Sequence, residues 1–146
     1  MVNQSLKNKK IIISAGASGI GLATVKVCLD RGATVFVSDI NDKYTNKLKK
    51  NSKINKKLFV FNCDASDEYQ VVNLFEKIRK KTPKIDCLIN NVGIAGPTGT
   101  MDNLSSSEWE NTLRVNVFSH FYFNKLAIPM LSLIHISEPT RHVDIA

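Results

Sequence analysis

At 146 residues, with 43% hydrophobic and 23% charged residues, the chain has the size and composition of one globular domain, long enough to bury a core. No apolar run approaches the ~18–20 residues that span a bilayer. The opening MVNQSLKNKK has neither the apolar stretch nor the small-residue cleavage site of a secretory signal, so no membrane partner and a cytoplasmic location are expected.

The net charge of +7 raises nucleic acid as a partner. Its lysines gather at Lys7–Lys10, Lys43–Lys57 and Lys77–Lys84, among asparagines. The series of interleaved aromatics on which bases stack is missing, so a solvated lysine face is expected and nucleic-acid binding is not. Cys28, Cys63 and Cys87 sit in separate apolar segments; their odd number and spacing suit neither a disulfide framework nor a metal site, and buried reduced thiols are expected.

Along the chain, the apolar run inside Lys10–Ala15 predicts a strand buried on both faces, followed by a glycine turn over Gly16–Gly21. A helix is expected from Leu22 to Arg31, with Ala23, Val27 and Cys28 among its apolar residues and Gly32 as its stop. Thr34–Ser38 reads as the second strand. Asn41 or Asp42 can cap a polar helix from Lys43 to Lys50, and Leu58–Asn62 reads as the third strand. Ser66 or Asp67 opens a helix whose apolar face uses Val71, Phe75 and Ile78, with Pro83 beyond its end. Ile85–Asn90 is the expected fourth strand, Val92–Thr100 a loop, and Ser105 with Glu108 a capping box for a helix running toward Pro129. Strands and helices alternate with short connections. The expected class is therefore α/β, a Rossmann-like doubly wound parallel sheet with helices on both faces.

The turn Ser14-Ala15-Gly16-Ala17-Ser18-Gly19-Ile20-Gly21 joins a buried strand to a helix. The first N–H groups of a helix are unpaired and carry partial positive charge, so a diphosphate fits there if no Cβ blocks it; Gly19 and Gly21 are expected to leave that room. Asp39 stands 18 residues after Gly21, at the end of the second strand. A carboxylate at that spacing grips ribose hydroxyls and repels a 2′-phosphate, which favours NAD over NADP as cofactor. Asn90 and Asn91 end the fourth strand, where their amides can tie strand ends together at the edge on which α/β ligands gather.

These residues in register resemble the short-chain dehydrogenase/reductase family. Ser14 and Ala15 stand where its T-G-x-x-x-G-x-G signature has Thr and its first Gly, while Gly19, Ile20 and Gly21 match outright. Asn90-Asn91-Val92-Gly93 matches N-N-A-G with Val92 for Ala. Asp64, with Ala65 beside it, falls where the family places an Asp against adenine, and Asn116 where it holds a relay water from a helix. The resemblance covers about Leu6 to Met130 and implies the spatial strand order 3-2-1-4. It implies cofactor binding by Ser14, Ala15, Gly16, Ser18, Gly19, Ile20, Gly21, Asp39, Asp64, Ala65, Asn91, Val92 and Gly93, and a relay role for Asn116. It also implies hydride transfer between a nicotinamide and a small-molecule alcohol or ketone, in a parent that is a homodimer or homotetramer. Ala15 is the departure of consequence: a Cβ at positive φ costs about 1–2 kcal/mol, unless Gly16 takes up the geometry instead.

The family's catalytic Ser and Tyr-x-x-x-Lys lie further along its chain. Tyr44, Tyr69 and Tyr122 have Leu48, Asn73 and Leu126 four residues on, so the pair is not formed. Ser137, only 21 residues past Asn116, is too close to be that Ser. Residues Leu131–Arg141, LSLIHISEPTR, resemble the in-frame translation of a transposon-based sequencing adapter. Residues 1–130 are therefore expected to be an incomplete NAD(P)-binding domain of about four strands, and 131–146 a non-native tail, leaving the chain inactive by itself.

Overall fold

The computed structural model describes residues 5–52 and 55–131 of the chain; Ser137 and the other expectations for residues 132–146 fall outside them. Four parallel strands form one sheet: β1 (Lys10–Ser14), β2 (Thr34–Asp39), β3 (Leu58–Asn62) and β4 (Cys87–Ile89), in the order β3-β2-β1-β4. Crossovers between successive strands carry α1 (Gly19–Asp30), α2 (Asp42–Ser52) and α3 (Glu68–Arg79); α4 (Ser106–Leu113) and α5 (Ser119–Ala127) follow β4. Parallel strands require such crossovers, and helices on both faces explain why the strands read as unbroken apolar runs.

Side chains along a strand alternate between faces. Ile12 and Phe36 therefore join one core, with Val71, Phe75 and Ile78 of α3 and Phe123 and Ala127 of α5. Ile11, Ile13, Val35 and Val37 join the other, with Val25 and Cys28 of α1 and Leu48 of α2. Phe75 and Phe123 meet edge to face at 5.5 Å and lock α3 to α5. Each large side chain buried this way contributes about 1.5–3 kcal/mol. Cys28 and Cys63 are buried and Cys87 is partly so, all as free thiols.

Several local expectations need correction. Only Gly16–Ser18 of the expected glycine turn precede α1; Gly19–Gly21 form its first turn, because Ser18 takes the extended N-cap conformation and Gly19 enters the helix. The fourth strand is short, Cys87–Ile89; before it, the Asp86 carboxylate accepts from the Lys10 N–H (2.9 Å) and the Lys9 ammonium (3.0 Å) while its own N–H donates to the Lys10 carbonyl (2.8 Å). Ser105 occupies the N-cap of α4, but its hydroxyl pairs with Ser107 Oγ at 2.7 Å and caps nothing, so no capping box forms. The long last helix is interrupted by a π turn at Arg114–Phe118. The edge of β4 is not wholly bare, since Ile85 forms a parallel bridge with Leu131.

β1 has β2 on one side and β4 on the other. The chain therefore leaves β1 and β3 toward opposite sides of the sheet. The carboxyl ends of β1 and β4 meet at this switch point, where an open α/β sheet forms its crevice.

Candidate functional site

The segments after β1, β2, β3 and β4 converge at the switch point. Ser14 ties two of them: its hydroxyl accepts from the Asn91 N–H at 3.0 Å and donates to the Ile89 carbonyl at 3.4 Å. Asn91 completes the tie by donating from Nδ2 to the Ala15 carbonyl at 3.0 Å. The expected cross-strand role of Asn91 is thus realised. Asn90 instead donates to Asn124 Oδ1 at 3.0 Å and leaves its own Oδ1 buried without a partner among the described residues.

The turn settles one alternative that the sequence left open and departs from its reading at Gly21. Ala15, not Gly16, carries the left-handed backbone, with φ of 48°. Gly16 is needed for space, because a Cβ there would lie 2.8 Å from Val37 Cγ1. Gly19 has φ of 51°, which favours glycine, and nothing lies within 4 Å of where its Cβ would stand. Gly21 does not face that open space. A Cβ on it would come within 2.3 Å of the Ala15 carbonyl oxygen and 2.6 Å of Asn91 Nδ2, so this glycine lets α1 press against the turn and the β4 loop. The Ser18 side chain makes no capping bond to α1, and no acidic residue occupies the first turn. Among the described residues no side chain caps this helix end, which suits an anionic group.

Asp39 is 7% exposed, and its carboxylate is already engaged. Oδ2 accepts from the Ala17 N–H and Oδ1 from the Asn41 N–H, each at 3.0 Å. The carboxylate therefore shapes the glycine turn as well as bordering the crevice. A carboxylate has roughly four acceptor positions, so these two bonds leave capacity for a hydroxyl. Asp64 is held similarly, its Oδ1 accepting from Ser66 N–H (2.9 Å) and Ser66 Oγ (2.7 Å). Asp39, Asp64, Ala65, Val92 and Gly93 line one pocket of about 210 Å³, with Ala15, Ile94 and Val115. Cys63 also lines it; burial, then the neighbouring Asp64 carboxylate, pushes its thiol up to about 12, so it is an inert wall at neutral pH.

Asn116 lies within the π turn and binds the Ile94 main chain at both ends of its amide: Oδ1 accepts from the N–H and Nδ2 donates to the carbonyl, each at 2.8 Å. His120 adds a second clasp, Nε2 to the Val92 carbonyl at 2.9 Å. Sequence reasoning missed Ile94 and His120. A backbone partner 22 residues away leaves no local pattern, and the π turn has no sequence mark here. π turns recur where a helix is shaped for a task.

A Rossmann-like sheet with an uncapped helix terminus, a buried acid at the end of β2 and a pocket beside it has the architecture of the dinucleotide-binding α/β proteins. Residues 9–137 match the family model for the short chain dehydrogenases. The chain belongs to that family, whose members are oxidoreductases binding nicotinamide dinucleotides. It is 32% identical over 117 residues to short-chain dehydrogenase reductase 5 of Arabidopsis thaliana, covering 80% of this chain and 45% of that protein. The fold is also similar to gox2181 (TM-score 0.80, 19% identity, 88% of this chain and 50% of the other). It is likewise similar to RhlG of Pseudomonas aeruginosa, solved as an NADP active-site complex (TM-score 0.77, 22% identity, 86% and 49%). The chain spans about half the length of the relatives it matches.

Proposed function

We propose that the chain is the dinucleotide-binding part of an NAD-dependent oxidoreductase, which moves hydride between the nicotinamide and a small alcohol or ketone. The observation that carries this reading is Asp39, whose carboxylate binds the glycine turn through the Ala17 N–H and which lines the adjoining pocket. Gly19 and the first amides of α1 would take the diphosphate, Ser18 and Ile20 flanking it. The remaining acceptor positions of Asp39 would take the ribose hydroxyls, and Asp64 with Ala65 the adenine edge. Ser14, Ala15, Gly16, Gly21 and Asn91 would hold the frame, and Val92 and Gly93 would border the ribose. The bound nicotinamide supplies the hydride chemistry.

Asn116 would serve the proton path by fixing the Ile94 loop and the π turn beside a relay water. Its amide is largely committed to Ile94, so the water would rest on its spare lone pair or on turn carbonyls. The catalytic Ser and the Tyr-x-x-x-Lys pair would come from elsewhere in a complete parent, a cytoplasmic homodimer or homotetramer. The 146-residue chain would bind cofactor without turnover. Residues 1–130 would be the native portion and 131–146 the foreign tail.

Calorimetry with NADH and NADPH tests the cofactor. NADH should bind more tightly, because the Asp39 carboxylate repels a 2′-phosphate, and Asp39→Ala should narrow the difference. Equal affinity for both by the unaltered chain would overturn the preference, and binding of neither would overturn the whole reading.

A further inference from the structure

The loop after β4 supplies part of the wall of the pocket beside Asp39, through Val92, Gly93 and Ile94. From Val92 to Gly99 the loop belongs to no helix or strand, and among the described residues its main chain bonds to no other main-chain group. A main chain of that kind is placed by the side chains that reach it. Here they come from two residues four apart at the π turn and the start of α5. Asn116 takes both the N–H and the carbonyl of Ile94, and His120 Nε2 meets the Val92 carbonyl at 2.9 Å.

A carbonyl only accepts, so Nε2 of His120 carries the hydrogen. Without that bond Val92 would be held only through its neighbours, Asn91, whose N–H is tied to Ser14, and Ile94, tied to Asn116. Val92 has a branched side chain with few rotamers, so its main-chain position sets how far it reaches into the pocket. His120 does not itself line the pocket. Whatever it does for a ligand there, it does through Val92.

We infer that His120 is a positioning residue for the dinucleotide, holding the Val92 wall against the adenosine half of the cofactor. This rests on the cofactor reading given above and adds to it a residue outside the pocket. Nitrogen NMR of the isotope-labelled 146-residue chain should show the His120 ring protonated at Nε2; a bare Nε2 would overturn the clasp without any variant being made. In the cofactor-free chain, the Ile94 N–H should exchange with solvent faster in His120→Leu. Exchange in His120→Gln should stay close to that of the unaltered chain, because the Gln amide can donate to the same carbonyl. By calorimetry, His120→Leu should bind NADH and adenosine monophosphate each about three- to tenfold more weakly, the loss of one hydrogen bond, with the Gln variant restoring both. Unchanged affinity in the Leu variant, no rescue by Gln, or a loss confined to NADH would overturn the inference. Failure of the unaltered chain to bind NADH would overturn the cofactor reading instead, and the exchange comparison would still decide whether His120 holds the loop.

Discussion

Ala15 and Gly21 show how a single Cβ governs this turn from opposite directions. Ala15 has a Cβ where the backbone favours none, at φ 48°. Replacing it with glycine removes a strain of about 1–2 kcal/mol but frees the unfolded chain by about 0.4–1 kcal/mol. Ala15→Gly should therefore stabilise modestly, by up to about 1 kcal/mol in a urea melt; a loss of stability would mean that the left-handed backbone costs the alanine little. Gly21→Ala should do the reverse, because its Cβ would collide with main-chain atoms that cannot swing aside. We expect a fall of at least about 1–3 kcal/mol, the range for overpacking, and a neutral result would show that α1 can shift outward. Asp39 is a third case. Removing its carboxylate leaves the N–H groups of Ala17 and Asn41 without their partner. Asp39→Ala should lower stability by about 1–3 kcal/mol as well as altering cofactor choice. A variant that changes only the cofactor preference would show that the carboxylate has no role in holding the turn.

Among the elements, α3 has the most complete start. Asp67 accepts from the N–H groups of Tyr69 and Gln70 and from the Gln70 side chain. The Gln70 side-chain bond first, then the Gln70 N–H, holds the Asp67 carboxyl below its usual range against a small opposing cost of desolvation. A depressed folded pKa means that this cap contributes fully above the unfolded carboxylate value of about 3.9. The contribution is lost as pH falls through the lower folded value. An acid titration followed by circular dichroism should therefore show loss of helix below about pH 4 that is smaller in Asp67→Asn, whose amide oxygen caps without titrating. Superimposable acid curves would rule the cap out as the titrating group. The interrupted last helix makes a contrasting element. Its π turn places Asn116 against Ile94 while α5 keeps Phe123 and Ala127 in the core.

Across the whole molecule, one face of the last helices is poorly covered. Trp109, Leu113, Val117, Phe118 and Phe121 are all at least 41% exposed, and among the described residues the outer side of β4 has no partner strand, Ile85 before it forming a single bridge to Leu131. An open edge beside apolar surface invites self-association. The 146-residue chain should melt broadly, with a midpoint that depends on protein concentration. NADH should raise that midpoint, since a ligand that binds only the folded state stabilises it. A sharp, concentration-independent melt of a monomer would contradict the first expectation, and an unmoved midpoint at saturating NADH the second.

What the sequence by itself determined was the alternation of strands and helices, the strand order, and the meeting of the glycine turn, Asp39 and Asn91 at one edge of the sheet. The alternation follows from periodicity and turn chemistry, which act over a few neighbouring residues, while the order and the meeting point follow from motifs in register with the family. Only the tertiary structure decided that Ala15 and not Gly16 would bend left-handed, that Gly21 would serve packing, and that the amide of Asn116 would be occupied by Ile94. Each of those outcomes depends on atoms brought together from distant parts of the chain, where space and an available hydrogen-bond partner, rather than local preference, choose the conformation.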